Sequence, residues 1–151
     1  MLSRVEYSVT IPVSVDAAFH AFQDFNRLLH RGIYEEASWT EGKPWEVGSR
    51  LRYVVIKPVK ATISAVVNSS SPPRAISLLN HAFGIVADQQ VTFGPDLKGG
   101  TRVRMTLEFV GEPTELPESV LQETAAFLGK DALDTLTTLF DHRRRSSAPG
   151  H

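Results

Sequence analysis

Residues 117–144 form the longest periodic stretch of the chain. Leu121, Ala125, Leu128, Ala132, Leu136 and Leu139 recur there at steps of three or four. Such steps place side chains on one face of an α-helix, so the spacing predicts a single long amphipathic helix with an apolar stripe. At 1.5 Å per residue that helix is about 40 Å long. No edge of a small domain needs that length, so the rest of the chain has to wrap around it. Arg143, Arg144 and Arg145 suit its C-terminal end, where the dipole favours cations, and residues 146–151 read as a flexible tail.

What precedes the helix is mostly strand. Val5, Tyr7, Val9 and Ile11 alternate with Glu6, Ser8 and Thr10, the pattern of a half-buried strand, and Pro12 ends it. Ser14 is placed to cap a helix whose apolar face is Val15, Ala18, Phe19, Phe22 and Phe25. Leu28 and Leu29 predict a second short helix stopped at Gly32. Further strands are predicted at 37–40, 50–56, 60–67, 74–79, 85–93 and 101–110. Between them lie turn residues 41–44, Lys57-Pro58, a polar loop at 68–73, and a turn of Asn80, His81 and Phe83. A hairpin loop at 96–100 takes positive φ at Gly99 and Gly100. In the last strand Val103, Met105, Leu107 and Phe109 alternate with Arg102, Arg104, Thr106 and Glu108, which gives one buried and one wet face. The class is α+β: seven antiparallel strands, two short helices after the first strand, and a long helix under one face.

Bulk properties exclude several functions. The chain has 151 residues, a net charge of −1 and no cysteine. Disulfides, thiolate nucleophiles and cysteine-based metal sites are therefore absent, and nothing argues for nucleic acid or an anionic membrane. The first ten residues lack a signal-peptide core and no apolar run reaches a membrane span of about 20 residues, so a cytoplasmic protein is expected. None of His20, His30, His81, His142 and His151 form an i, i+4 pair, and no HExxH or GxSxG occurs; no metal and no cofactor are expected. Glu35 and Glu36 are neighbours that point apart, a weak basis for two-carboxylate chemistry.

Laid out in this order, the chain resembles the helix-grip superfamily: the START-like proteins, the birch-pollen-allergen group and the bacterial polyketide cyclase/dehydrase-like (SRPBCC) proteins. The likeness runs from Val5 to about Phe140. It is carried by the opening strand with residues 14–25, by WTEGKPWEVGSRLRY at 39–53, and by GTRVRMTLEF at 100–109. The resemblance implies one START-like domain over 1–145. Its sheet would curve around the last helix and enclose an apolar cavity for lipids, polyketides or other hydrophobic molecules.

Under that expectation Leu121, Ala125, Leu128 and Ala132 form one wall of the cavity, with Met105 and Leu107 opposite. Ala125, Gly129 and Ala132 on the helix and Ala65 and Ala87 on the sheet are small, which leaves either a void or a close contact. Glycine inside a helix costs about 1 kcal/mol against alanine, so space is needed at Gly129. By strand parity Tyr7, Tyr53 and Gln89 point inward and would orient a ligand. A bulge at residues 88–90 would instead turn Gln89 outward. Trp39, Trp45 and Tyr34 cluster either at the cavity mouth or over the open end of the sheet. His81 reads as a proton carrier or as a solvated loop histidine. Phe127, on a charged helix face, packs on the short helices or marks a homodimer contact.

Three functions fit these residues. The first is a binding protein for a hydrophobic or aromatic small molecule, contacted by Tyr7, Trp39, Tyr53, Gln89 and the two walls. The second is a cofactor-free cyclase, aromatase or dehydratase in the same cavity, with Tyr7, Tyr53 or His81 as acid–base candidates. The third is an interaction module like the chaperone activators among grip-fold proteins.

Overall fold

The computed structural model describes residues 4–24, 34–56, 60–82, 84–110 and 117–146. The side chains of Tyr34, Leu121 and Phe127 lie outside that description, as do Leu28, Leu29 and Phe83, so the second short helix and the Phe127 contact belong to what is not described.

Alternation at the N-terminus produces β1 (Arg4–Ile11). Ser14 then caps α1 (Val15–Gln23), its hydroxyl accepting from the Ala17 amide at 3.2 Å. Replacing Ser14 with alanine strands that amide, and a loss of about 1 kcal/mol is expected in chemical denaturation. Six strands follow: β2 (Tyr34–Glu41), β3 (Arg50–Val55), β4 (Ala61–Ser71), β5 (Ala75–Ala82), β6 (Ile85–Pro95) and β7 (Thr101–Val110). They form one curved sheet in the order β1-β7-β6-β5-β4-β3-β2, antiparallel throughout. β2 to β7 are a meander, and β1 closes onto β7.

Two hairpins run longer than the sequence pattern predicts. Residues 68–71, expected in a loop, extend β4, because Ser69, Ser70 and Ser71 pair with Ser77, Ile76 and Ala75 across a bulge. The Ser69 and Ser77 hydroxyls bond to each other at 2.6 Å, which lets a polar run stay in the ladder. Asn80 and His81, expected in a turn, are strand residues paired with Ala65 and Ser64. The β6–β7 loop does follow its glycines. Gly99 and Gly100 have φ of 99° and 82°, and a Cβ on Gly100 would collide with the Ile11 carbonyl oxygen.

The C-terminal helix is α-helical over Glu118–Ala126 and Ala132–Ser146, with a π-helical turn at Phe127–Asp131 between them. A uniform α-helix was expected. The π turn adds one residue to the register, so past Leu128 the buried positions become Ala132, Leu133, Leu136 and Phe140, while Leu139 is half-buried. The turn and the segment after it pack on β1 and β7. Gly129 lies at that contact. A Cβ there would sit 2.5 Å from Cδ2 and 2.7 Å from Cε2 of Tyr7, and 3.3 Å from Cδ1 of Leu107. The space the glycine provides is taken by the Tyr7 ring, so at this point the small residue marks close contact between helix and sheet.

The outer face of the sheet is charged. Arg104 pairs with Glu6 at 3.1 Å, Arg52 with Glu36 at 3.1 Å, and Lys60 with Glu35 at 3.0 Å. Exposed pairs like these contribute little stability, and they occupy the two neighbouring glutamates separately. Among the described residues no helix is long and apolar enough to cross a membrane, and no cluster of three or more metal-ligating side chains occurs.

Candidate ligand-binding site

Every second residue of the strands faces the helix side, and most of that inner face is apolar: Val103, Met105 and Leu107 of β7, Val91 and Phe93 of β6, Ile76 and Leu78 of β5. In the middle of the sheet it is interrupted by polar side chains. Tyr53 and Asn80 are each 3 % exposed and Gln89 is 6 % exposed. They are joined in one line. The Tyr53 hydroxyl donates to Asn80 Oδ1 at 2.6 Å, Asn80 Nδ2 donates to Gln89 Oε1 at 3.1 Å, and Gln89 Nε2 donates to Met105 Sδ at 3.3 Å. Asn80 Nδ2 also donates to the Ala87 carbonyl at 3.2 Å.

The register explains this rail. Asn80 pairs with Ala65 on β4 and with Ala87 on β6. Both neighbours are small, so the Tyr53 phenol on β3 can cross β4 and reach Asn80. Gln89 follows diagonally on β6 and Met105 on β7. The small residues Ala65 and Ala87 therefore make room for polar side chains. Every donor points the same way along the rail, an arrangement in which each bond polarises the next. It ends on a thioether, which is a weak acceptor.

A pocket of about 500 Å³ opens beside the first end of this rail. Its floor is Ala37, Trp39 and Leu51, and Ala37 faces Tyr53 across the β2–β3 ladder. Its walls are the end of α1, with His20, Gln23 and Asp24, and the β2–β3 loop, with Pro44 and Trp45. The Trp39 and Trp45 rings meet edge to face at 5.2 Å, and Phe22 lies 6.2 Å from Trp45. Trp45 Nε1 donates to the Gln23 carbonyl at 3.0 Å. Trp45 has φ of 67°, the one left-handed non-glycine conformation among the described residues. A bulky residue there costs on the order of 1–3 kcal/mol. The loop holds it through Gly48 N to Val67 O at 2.8 Å and Val67 N to Ser49 O at 3.0 Å.

The residues expected to form the site are thus distributed as follows. Tyr53, Gln89 and Met105 belong to the rail, and Trp39 to the pocket. Gln89 is buried and keeps its place in the β6 ladder opposite Leu78 and Leu107. Leu107, Ala125, Leu128 and Ala132 are buried in the contact between sheet and helix. Tyr7 is half-buried against Gly129 on the edge strand β1, four strands removed in the sheet order from β4, which Tyr53 of β3 crosses. His81 is exposed and stands on the face opposite Asn80, because the strand continues through it. It does not meet the interior tyrosines. Sequence reasoning missed Asn80, whose turn-forming character and following Ala-Phe-Gly masked the alternation Ile76, Leu78, Asn80. It also missed His20, Gln23 and Asp24, which carry no motif.

The chain belongs to the family described as polyketide cyclase / dehydrase and lipid transport, whose model matches residues 3–141. Among solved structures it is similar to the Zhui aromatase/cyclase from Streptomyces sp. R1128, with 17 % identity, a TM-score of 0.74, and 99 % of each chain covered. It is also similar to Ara h 8.0201, with 11 % identity, a TM-score of 0.75, and 93 % of this chain and 98 % of that one covered. Protein Ms6760 from Mycobacterium smegmatis gives 15 % identity and a TM-score of 0.72, over 99 % of this chain and 93 % of that one. At such identities the likeness is one of fold. No curated protein matches the chain.

Proposed function

We propose that this protein binds a hydrophobic, hydroxylated or carbonyl-bearing aromatic small molecule along the inner face of its sheet. The observation that carries the reading is the Tyr53–Asn80–Gln89 rail. Burying polar groups lowers stability unless each is well paired, and an apolar wall would serve packing alone. A rail of aligned donors suits a partner that has to be oriented as well as buried. The adjoining aromatic pocket gives such a molecule a place to lodge, and the family description supports the same class of ligand.

The cyclase reading draws support from the family description and from the fold shared with an aromatase/cyclase. It needs an acid–base pair. Tyr7 stands on the edge strand β1, Tyr53 on β3 near the other edge, and His81 is exposed on the face opposite Asn80. Binding is the better-supported function.

A thermal-shift panel of hydroxylated anthraquinones, 2-naphthol and palmitic acid tests the proposal. A ligand at 100 times its Kd is expected to add about 2.7 kcal/mol. Gln89→Leu is expected to weaken a hydroxylated aromatic about tenfold and palmitic acid much less, since only the first uses the amide. No stabilisation by any member of the panel would overturn the reading.

A further inference from the structure

The rail has a fixed polarity, and the Ala87 carbonyl sets it. A backbone carbonyl can only accept, so the Asn80 side-chain atom facing it at 3.2 Å has to be Nδ2. Asn80 Oδ1 is then the atom turned to Tyr53, and the phenol is committed as a donor at 2.6 Å. Asn80 Nδ2 also meets the Gln89 amide at 3.1 Å, so Gln89 presents Oε1 there and Nε2 on its other side. Turning Asn80 round would set its oxygen against the Ala87 carbonyl, and turning Gln89 round would set donor against donor. The direction of the whole rail therefore follows from one main-chain group of β6.

That direction leaves unused hydrogen-bonding capacity at one atom. Asn80 Nδ2 carries two hydrogens, and both have oxygen acceptors. Gln89 Nε2 also carries two. Its acceptor among the described residues is the Met105 thioether at 3.3 Å, a weak one. Gln89 is 6 % exposed, and its partners on either side in the ladder are Leu78 and Leu107. A buried amide N–H with no oxygen to bond lowers stability, and an oxygen brought to it in such apolar surroundings is held more strongly than in water.

The kind of oxygen is also restricted. No Lys, Arg, Asp or Glu is among the described buried residues. A carboxylate would lie beside Gln89 without a cation, which burial makes costly. A hydroxyl can accept from Nε2, but its own proton then has only the thioether to bond. A neutral carbonyl accepts and has no proton to place.

We infer, building on the inner-face binding reading, that Gln89 Nε2 is the specificity-determining group of that site and selects an uncharged carbonyl oxygen, as in a ketone, quinone or lactone, over a hydroxyl or a carboxylate. The carbonyl oxygen lies beside Met105 Sδ and takes the place of the thioether as acceptor.

Fluorene, 9-fluorenol, 9-fluorenone and fluorene-9-carboxylate share one ring system and differ at a single carbon, so calorimetric titration with the four isolates the substituent. The Kd of 9-fluorenone is expected to be about tenfold below that of fluorene and about threefold below that of 9-fluorenol, with the carboxylate weakest. Gln89→Leu is expected to bring 9-fluorenone and fluorene within about twofold of each other. Asn80 Nδ2 keeps its bond to the Ala87 carbonyl in that variant, so the rest of the rail retains its anchor. Met105→Leu conserves volume and removes the competing acceptor, and is expected to bind 9-fluorenone about threefold tighter with fluorene unchanged. The carbonyl stretch of bound 9-fluorenone is expected at lower frequency than in hexane, and to return toward the hexane value in Gln89→Leu. A ketone that binds no tighter than fluorene, a preference that survives Gln89→Leu, or one that falls in Met105→Leu would overturn the carbonyl assignment. If 2-naphthol binds while 9-fluorenone shows no preference, the failure belongs to the carbonyl assignment alone. If neither 2-naphthol nor any fluorene compound binds, the inner-face reading falls with it.

Discussion

Asn80→Leu is expected to destabilise the protein by about 3 kcal/mol and to lower Tm by roughly 10 °C. Leucine has the branching of asparagine and is the larger of the two, so the loss does not come from a cavity. It comes from the partners left behind. Tyr53 loses the acceptor at 2.6 Å, Gln89 Oε1 loses the amide at 3.1 Å, and the Ala87 carbonyl loses a donor at 3.2 Å. Each stranded group is buried and costs about 1 kcal/mol or more. The triple variant Tyr53→Phe, Asn80→Leu, Gln89→Leu removes all three polar side chains together. It is expected to be more stable than the single variant, because no polar side chain of the rail then remains stranded. Denaturant titrations with an unchanged m-value give the comparison. A triple variant less stable than Asn80→Leu would show that the rail is a set of independent bonds rather than a coupled network.

The same rail shows which parts of the molecule could be read from the amino-acid order. The seven strands and their face assignment follow from alternation, because a period of two decides which side is buried. Tyr53 and Met105 follow from that rule, whereas for Gln89 it leaves a bulge at residues 88–90 open, and the unbroken pairing of β6 decides it. The rail itself could not be seen, because it depends on diagonal reach across β4, and hence on Ala65 and Asn80 being opposite each other. That pairing is a matter of register, which local pattern does not specify. The pocket was half legible. Trp39 and Trp45 could be grouped as aromatics between the helices and the first hairpin, but Gln23 and Asp24 have no signal of their own. They acquire a role only because α1 ends against the β2–β3 loop. The helix illustrates the opposite limit. Its apolar steps of three and four are real, yet a π turn inserts one residue where the spacing predicts none. That turn, with Gly129 inside it, packs on β1 and β7.

Gly129→Ala tests that last point, because two large effects oppose each other there. In an exposed helix the change gains about 1 kcal/mol. Here the added Cβ would lie 2.5 Å from a ring carbon of Tyr7, whose backbone is held in register with Met105. Ring carbons near a fixed strand cannot withdraw as the tip of a flexible chain can. Overpacking of this kind costs about 1–3 kcal/mol and here exceeds the helix gain, so a net loss of about 2 kcal/mol is expected. In a Tyr7→Leu background the obstacle is smaller, and the same substitution is expected to become stabilising by a few tenths of a kcal/mol to about 1 kcal/mol. The sign of the effect, and not only its size, therefore depends on the aromatic ring across the interface. A double-mutant cycle in which Gly129→Ala stabilises both backgrounds would mean that Tyr7 swings aside without cost. Close approach would then no longer account for the glycine. A reversal of sign would tie the glycine to a contact that brings the helix down onto β1.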